Sequence, residues 1–283
     1  MEFIFKHLHD AIWFHEHLYN KQLPSTYKET KFQKQKHFVI TVDLHQVSLA
    51  DLQDVIITFI THKKRKEWTH EILFKQFYYE DEIERAQISE IVCEMFNGKR
   101  PELTALVRKV DEKEIISDVI QSLFDPPKSV SFNSFFKFRF KKYFDYLIEY
   151  IEVAIDEYKM EQDYQVYIQM LRDYIYKRER KKKVVHIYME KCSVFYDKDF
   201  QKISSDVLTN LLDKRLLTNH PIYIDSKTIA PLLSIAPEKV YVYTNKPEQG
   251  LIRTMKNIFE ERMHLCSTRQ FWERKKQCSI VNK

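Results

Sequence analysis

The chain has 283 residues, of which 44% are hydrophobic and 14% aromatic, and this content is ample for a buried core. A chain of this length favours two domains. The 46 Lys and Arg residues against 41 Asp and Glu leave a formal net charge of only +5. This balance excludes strong general attraction to polyanions, so tight binding of an anion would require a local patch.

The scarcity of glycine excludes several kinds of enzyme. Phosphate-binding loops and dinucleotide turns need closely spaced glycines, whereas the sequence has only Gly98 and Gly250. It also lacks GxSxG, HExxH and EF-hand spacings. We therefore expect a protein that is not an enzyme and that uses no cofactor.

The cysteines and the hydropathy predict the compartment. The four cysteines form no CxxC pair, which indicates reduced thiols in a cytoplasmic protein rather than disulfides or a zinc site. Glu2, Lys6 and Asp10 interrupt the first apolar stretch, and no apolar run approaches the ~18 residues that span a bilayer. We expect a soluble protein without an export signal or a membrane span.

The start of the chain predicts a βαβα arrangement. Residues 2–7 and the β-branched run 37–44 predict strands, and residues 10–20 predict a helix. The polar segment 21–35 between them predicts a loop. Ser48 is suited to cap a further helix that begins with LADLQDV.

From about residue 64 to 124 the pattern is helical, with an interruption where Gly98 suits a C-terminal cap and Pro101 blocks continuation. Asp125-Pro126-Pro127 ends this region. A helical stripe follows at steps of three and four residues: Phe136, Phe140, Tyr143, Leu147, Ile151, Ala154 and Tyr158. The stripe loses phase over 159–163 and restarts at Tyr164. This pattern fits a second helix or a kinked continuation, and we favour two helices packed by their aromatic faces.

Beyond residue 183 the period becomes strand-like. Residues 184–196 predict a β-hairpin. The rest predicts, in order, helices over about 204–214 and 226–235, a strand over 239–244, a helix over 251–263, a strand near Leu265 and a partly helical tail. Strand, helix and strand in this order favour a right-handed parallel crossover.

The predicted fold class is mixed α+β. A predominantly helical middle is flanked by the N-terminal βαβα region and by a C-terminal α/β region with a hairpin and a parallel crossover. The predicted divisions are 1–124 (an α/β start plus helices), 128–176 (central aromatic-rich helices), 184–270 (a small α/β domain) and 271–283 (a tail).

The stretch FFKFRFKKYF, residues 135–144, is the main candidate binding site. Phe136, Phe140 and Tyr143 fall on the core stripe, but Phe138 lies roughly 170° away from it. Either another part of the protein covers Phe138, or it belongs to a binding surface whose cations meet anionic groups. That surface would consist of Lys137, Phe138, Arg139, Lys141 and Lys142.

The predicted helix has basic residues near its start and acidic residues farther along. The outward face turns acidic at Asp145, Glu149, Glu152 and Asp156, where we expect a solvated surface. Lys141 and Lys142 have the spacing to pair with Asp145, although cations near a helix start oppose the macrodipole. This electrostatic misfit favours an anionic partner.

Two other basic segments are candidates for binding. The run KRERKKK is interpreted as a solvated junction between domains or as a contact to nucleic acid, through Lys177, Arg178, Arg180, Lys181, Lys182 and Lys183. In the tail, Arg274, Lys275 and Lys276 lie beside Phe271 and Trp272. This arrangement is typical of a small basic-aromatic patch.

The histidines predict no metal site. His15 and His17, two residues apart on a helix, point to opposite faces, and His7 and His9 share a face only if the first strand extends that far. His186 lies inside a predicted strand, where a buried structural role is favoured. A hydrolase that uses His186 with Asp197 or Asp199 is a third hypothesis, and it requires these groups to converge.

The central stretch also resembles a known family. Phe135, Phe138, Arg139, Lys141 and Tyr143 carry the pattern F-x-x-F-R-x-K-x-Y, which resembles the YtxC-like family of sporulation proteins. Similar segments follow in order at 161–175, 184–189, 236–243 and 257–266. The resemblance covers most of the chain from about residue 130 onward and the N-terminal portion only loosely. The sequence departs from the pattern at Lys137, where a small polar Asn is expected, and at the basic run 177–183.

The resemblance implies an intracellular, sporulation-associated protein and implies no catalytic residues. The first functional hypothesis is therefore non-catalytic binding of a protein partner through the surface around Phe138 and Arg139. The alternative is a nucleic-acid-binding protein that uses Lys137, Arg139, Lys141, Lys142 and the basic run.

Overall fold

A computed structural model describes residues 1–32, 35–109, 111–124, 129–179, 182–190, 192–211 and 227–281. Contacts divide the chain into two compact units, Met1–Met160 and Glu161–Lys283. The division falls inside the predicted central segment 128–176. The predicted stop at Asp125-Pro126-Pro127 lies outside the described residues.

The first unit contains a four-stranded sheet in the order β2-β3-β1-β4. Strand β1 pairs antiparallel with β3 and parallel with the short β4. The strands are β1 (Glu2–Phe5), β2 (Ser25–Phe32), β3 (Gln35–Val42) and β4 (Val130–Ser131).

The prediction of a loop over 21–35 is wrong, because β2 occupies most of it. In the first sheet β2 pairs with β3 alone, and its side chains are mostly exposed. An edge strand with charged, solvated side chains shows no apolar alternation, so hydrophobic periodicity does not reveal it.

The helices of the first unit share one hydrophobic core with the sheet. They are α1 (Leu8–Asn20), α2 (Leu49–Thr58), a π-helical segment (Phe59–Lys64), α3 (Arg65–Lys75), α4 (Glu82–Phe96), α5 (Pro101–Thr104), α6 (Glu112–Gln121), α7 (Phe132–Arg139) and the start of α8 (Lys141–Tyr176). The predicted interruption after α4 is confirmed. Gly98 there has a φ of +70°, which only glycine adopts without strain.

An aromatic cluster forms the centre of the first core and fixes α7. The Phe132 ring lies 5.2 Å from that of Phe3 and 4.9 Å from that of Phe5, between centroids. Phe14 and Phe59 complete the cluster, and all five rings are buried. The N-terminal strand and α1 therefore hold the first turn of α7 in place.

The central helices differ from the prediction in two respects. The helix is interrupted at Phe140, which has φ −93° and ψ 18° and separates α7 from α8. Conversely, α8 continues through 159–163, so the predicted pair of helices packed by aromatic faces is wrong. The residues KMEQD contain no Gly or Pro to end a helix. The stripe changes phase because Tyr158 packs in the first core and Tyr167 in the second.

The second unit contains a four-stranded sheet in the order β6-β5-β7-β8. The predicted hairpin is confirmed, since β5 pairs antiparallel with β6, and the predicted parallel crossover is confirmed, since β7 pairs parallel with β8. Strand β5 also pairs parallel with β7. The strands are β5 (Val184–Met189), β6 (Ser193–Tyr196), β7 (Lys239–Tyr243) and β8 (Met263–Cys266). The helices besides the end of α8 are α9 (Ser205–Leu211), α10 (Ile229–Ile235), α11 (Gly250–Phe259) and α12 (Thr268–Val281).

Helices cover both faces of this second sheet. Val185, Ile187, Val240 and Val242 belong to a core that also contains residues of α8, α10 and α11. On the other side Tyr243 packs with Phe200 and with Phe271 of α12. Taken with the first unit, this confirms the predicted mixed α+β class.

Two further properties follow from the described residues. None of their helices combines the length and the apolarity that a bilayer crossing requires. Cys93, Cys192, Cys266 and Cys278 are free thiols.

Candidate binding surface

The core side of α7 and α8 determines where Phe138 points. Phe132, Phe136, Phe140 and Tyr143 recur at steps of four, four and three residues, and all four are buried. A residue two positions after Phe136 must point away from that face, since each residue advances about 100° around a helix. Phe138 is accordingly 75% exposed. The predicted outward orientation is confirmed, and the alternative that another part of the protein covers the ring is wrong for the described residues.

Four cations lie within four residues of this ring in the chain. Lys137, Arg139, Lys141 and Lys142 are all exposed. The described ion pairs include none of the four, and Lys137 Nζ lies 5.9 Å from the centroid of the Phe138 ring. The anticipated pairs of Lys141 and Lys142 with Asp145 do not form. We refer to Lys137, Phe138, Arg139, Lys141 and Lys142 as the Phe138 surface.

A groove adjoins the Phe138 surface. It has a volume of about 810 Å³ and lies between α6 and the start of α8. Ile115 and Val119 of α6 line it with half-buried apolar side chains, and Glu114 and Asp118 line it with exposed carboxylates. The remaining lining residues are Arg108, Ser122, Arg139, Lys141, Lys142, Asp145 and Tyr146. The groove therefore offers an apolar wall with charges of both signs.

A buried polar network holds α6 beside α8. The Tyr143 hydroxyl donates to Glu112 Oε1 over 2.8 Å, and Arg65 Nη1 donates to Glu112 Oε2 over 2.7 Å. Burial, and next the neighbouring Glu112 carboxylate, raises the pKa of Tyr143 well above its usual value. The hydroxyl stays protonated and keeps its role as a donor, so α6 is fixed at one wall of the groove.

The acidic face of α8 is partly neutralised by the protein itself. Arg108 donates two hydrogen bonds to Glu149, one of them from Nε over 3.0 Å. This hydrogen bonding lowers the pKa of Glu149. Among the groove cations, Arg108 therefore already has an anionic partner, unlike Arg139, Lys141 and Lys142.

The basic run 177–183 lies in the second unit, and only part of it is described. Arg180 and Lys181 lie outside the described residues. Lys177 is exposed, and Arg178 places its guanidinium 4.7 Å from the centroid of the Tyr174 ring. The carbonyls of Lys182 and Lys183 accept hydrogen bonds from the amides of Glu238 and Lys239. The end of the run thus extends the pairing of β5 with β7, and its backbone is not a free linker there.

The tail cations contact rings of their own sheet. The guanidinium carbon of Arg274 lies 4.9 Å from the centroid of the Tyr241 ring, and Lys275 Nζ lies 5.0 Å from that of Tyr196. Phe271 beside them is fully buried. Of the three predicted patch cations, Lys276 is exposed, whereas Arg274 and Lys275 are half-buried. Most cations and rings of the anticipated basic-aromatic patch therefore contact other side chains of the second unit.

His186 is buried and occupies a structural position. Its Nδ1 lies 3.0 Å from the Tyr243 hydroxyl, and its ring stacks on Phe200 at a centroid distance of 4.2 Å. Burial, and next the positive charge of Arg274, lowers the pKa of His186 to about 4. Asp197 instead accepts hydrogen bonds from the amides of Asp199 and Gln201. Neither Asp197 nor Asp199 hydrogen bonds with His186 in the described part of the chain, although the charge of Asp197 opposes the lowering of the His186 pKa.

The prediction for His15 and His17 is confirmed, whereas the expectation for His7 and His9 is wrong. His15 hydrogen bonds with Ser25, and His17 with the carbonyl of Trp13, so the two do not converge. His7 and His9 do stack, with ring centroids 5.6 Å apart, although β1 ends at Phe5. The expectation that only a longer strand could bring them together is wrong, because the turn into α1 does so.

Contacts within the second unit join two of the segments that carry the family resemblance. Arg172 Nε donates to the carbonyl of Asn257 over 2.8 Å, and its Nη2 lies 2.8 Å from Glu260 Oε1. Asn257 Nδ2 also donates to the Tyr164 hydroxyl over 3.2 Å. Sequence reasoning gave no role to Arg172 or Glu260, because they are about ninety positions apart and their pairing is a tertiary property.

Comparisons with known proteins identify the family. The YtxC-like family matches residues 50–264, so the chain belongs to that family. The chain is 31% identical over 220 residues to the "Uncharacterized protein YtxC" of Bacillus subtilis (strain 168), and the alignment covers 78% of each protein. The match starts about eighty residues earlier than the sequence motifs indicated. No solved structure matches.

Proposed function

We propose that this member of the YtxC-like family acts in the cytoplasm by non-catalytic binding of an acidic protein segment at the Phe138 surface. The observation that carries the proposal is the exposed Phe138 ring among four exposed cations that form no ion pair with described residues. Exposed phenylalanines in isolation are ordinary, but one with four uncompensated cations close to it in the chain resembles the hot spot of an interface. The association with sporulation is supported by the family resemblance.

The groove beside the Phe138 surface favours a protein partner over nucleic acid. Its carboxylates Glu114, Asp118 and Asp145 would repel a continuous phosphate backbone. Its half-buried Ile115 and Val119 offer an apolar contact that a phosphate backbone does not use. A peptide can instead place an apolar side chain against that wall and its acidic side chains against Arg139, Lys141 and Lys142.

The test is partner capture from sporulating cells with matched variants. We expect a bound protein to be lost with Phe138→Ala and with the double variant Lys141→Glu/Lys142→Glu. Phe74→Ala is the control, because Phe74 is also an exposed phenylalanine, at 52%, but lies on α3 outside the Phe138 surface. The proposal is wrong if wild-type and Phe138→Ala proteins capture the same partners.

A second measurement tests the nucleic-acid alternative. Fluorescence anisotropy with single- and double-stranded oligonucleotides at low salt would show binding that weakens steeply with salt if phosphates are the ligand. We expect no such binding. Binding that is reduced by Lys141→Glu/Lys142→Glu would replace the acidic protein with nucleic acid as the partner of this surface.

A further inference from the structure

We propose that His9, Asp10 and Glu67 form a site for a divalent transition-metal ion such as Zn²⁺. His9 and Asp10 lie in the first turn of α1, and Glu67 lies in the first turn of α3. The ligand atoms of the three side chains all lie within 4.8 Å of one another. This inference does not rest on the proposed function.

The distances suit metal coordination. His9 Nε2 lies 3.3 Å from Asp10 Oδ1 and 3.5 Å from Glu67 Oε1. Two ligand atoms bound to Zn²⁺ at about 2.1 Å in tetrahedral geometry are roughly 3.4 Å apart. The two distances from His9 Nε2 are therefore close to those that one shared ion would impose, and the two carboxylate oxygens lie within 4.8 Å of each other.

Lys64 orients the two carboxylates. Its Nζ lies 3.1 Å from Asp10 Oδ2 and also contacts Glu67 Oε2. The Lys64 and Asp10 side chains are only 9% and 4% exposed. Each carboxylate thus uses its far oxygen for Lys64 and turns the other toward His9. Such outer contacts fix ligand orientation in metal sites.

One buried carboxylate oxygen supports a cation at this position. Asp10 Oδ1 is buried and accepts no hydrogen bond from the described part of the chain. It faces His9 Nε2, and two lone pairs would meet there if the imidazole nitrogen is unprotonated. A metal ion between the two atoms would satisfy both, because carboxylate oxygen and neutral imidazole nitrogen are metal ligands.

The donor set and the surroundings define the class of ion. One imidazole with two carboxylates suits first-row divalent metals better than Mg²⁺ or Ca²⁺, which prefer oxygen alone. The His9 side chain is 58% exposed and borders a cavity of about 860 Å³. Coordination positions on that side are open to water or to an exogenous ligand.

Lys63 provides a specific test, because it competes for the same oxygen. Its Nζ lies 3.0 Å from Glu67 Oε1, and its side chain is 29% exposed. A bound ion must displace this ammonium group from the carboxylate. Removing it should therefore strengthen metal binding, whereas loss of an ion pair with no metal role would not.

The experiment is a Zn²⁺ titration of the full chain in competition with a chromophoric chelator. We expect one site that His9→Ala weakens at least about tenfold, since even outer-shell losses cost that much. His15→Ala is the matched control on the same helix and should bind like wild type. Lys63→Ala should bind several-fold more tightly.

His9→Ala is suitable because His9 is largely exposed, and circular dichroism would verify its fold. Thermal unfolding supplies a second readout, in which Zn²⁺ raises the Tm of the wild type and of His15→Ala but not of His9→Ala. The proposal is overturned if the wild type binds no Zn²⁺ or if His9→Ala binds as tightly as the wild type. The four cysteines offer other ligands, and the comparison of His9→Ala with His15→Ala excludes their contribution.

Discussion

Phe138 and Phe140 are two residues apart, yet Phe138 is 75% exposed and Phe140 is fully buried. Phe140 also occupies the break between α7 and α8, where it packs at 4.9 Å from Phe136 and 5.8 Å from Phe135, between ring centroids. One ring therefore stabilises the helix junction, and the other is available for contact.

This relationship predicts a large loss of stability for one change and almost none for the other, although both replace phenylalanine with alanine. Phe140→Ala should lower the free energy of unfolding by about 3–5 kcal/mol, because it leaves a cavity in the core. Phe138→Ala should change it by less than about 0.5 kcal/mol. Urea unfolding of the first unit can be followed by the fluorescence of Trp13 and Trp68 in a Trp272→Phe background. Equal effects of the two changes would contradict the assignment of Phe138 to the surface.

The network around Glu112 predicts a small loss of stability for one substitution and a larger loss for another. Tyr143→Phe removes one hydrogen bond and leaves the Glu112 contact with Arg65, so the free energy of unfolding should fall by about 1 kcal/mol. Glu112→Ala leaves the Arg65 guanidinium, whose side chain is 10% exposed, without that carboxylate and should cost about 3–5 kcal/mol. The same fluorescence measurement applies. A larger loss from Tyr143→Phe than from Glu112→Ala would argue against this network.

The buried pair of Lys64 and Asp10 predicts strong coupling. Lys64→Met leaves the Asp10 carboxylate buried without its ammonium partner and should destabilise the first unit by about 3–5 kcal/mol. Adding Asp10→Leu should recover most of that loss, because both buried charges are then absent. A double-mutant cycle by urea unfolding measures the coupling. Additive effects of the two changes would show that the side chains do not interact.

His186 predicts a pH dependence of stability in the second unit. Its pKa is about 4 in the folded protein and about 6.5 in an unfolded chain, so the unfolded state binds more protons between these values. The contribution of neutral His186 is fully present above about pH 6.5 and is lost as the pH falls toward 4. The maximum loss is about 3 kcal/mol.

NMR titration of the His186 imidazole resonances measures this pKa directly, and half-buried His264 serves as an internal comparison. His186→Phe keeps a ring for stacking on Phe200 and should make unfolding less dependent on pH between 4 and 6.5. A His186 resonance that titrates near pH 6.5 would contradict the effect assigned to burial.

Most of the secondary structure was predictable because its residues carry local signals. The strand 37–44, the hairpin 184–196 and the strand 239–244 were recognised by β-branched residues and alternation, and each is present. The same local reasoning missed β2, whose polar side chains face solvent. It also predicted two helices where the structure has the single helix α8. The reason is that the buried stripe changes phase between Tyr158, which packs in the first core, and Tyr167, which packs in the second.

The sequence by itself determined that Phe138 points away from the buried aromatic stripe and has exposed cations as chain neighbours. That result follows from helical periodicity, which depends only on neighbouring residues. Only the tertiary structure decided what lies beside them: the groove wall from α6, the network of Tyr143 with Glu112, and the approach of Glu67 to His9 and Asp10. These contacts join residues that are far apart in the chain, and no local pattern encodes such distances.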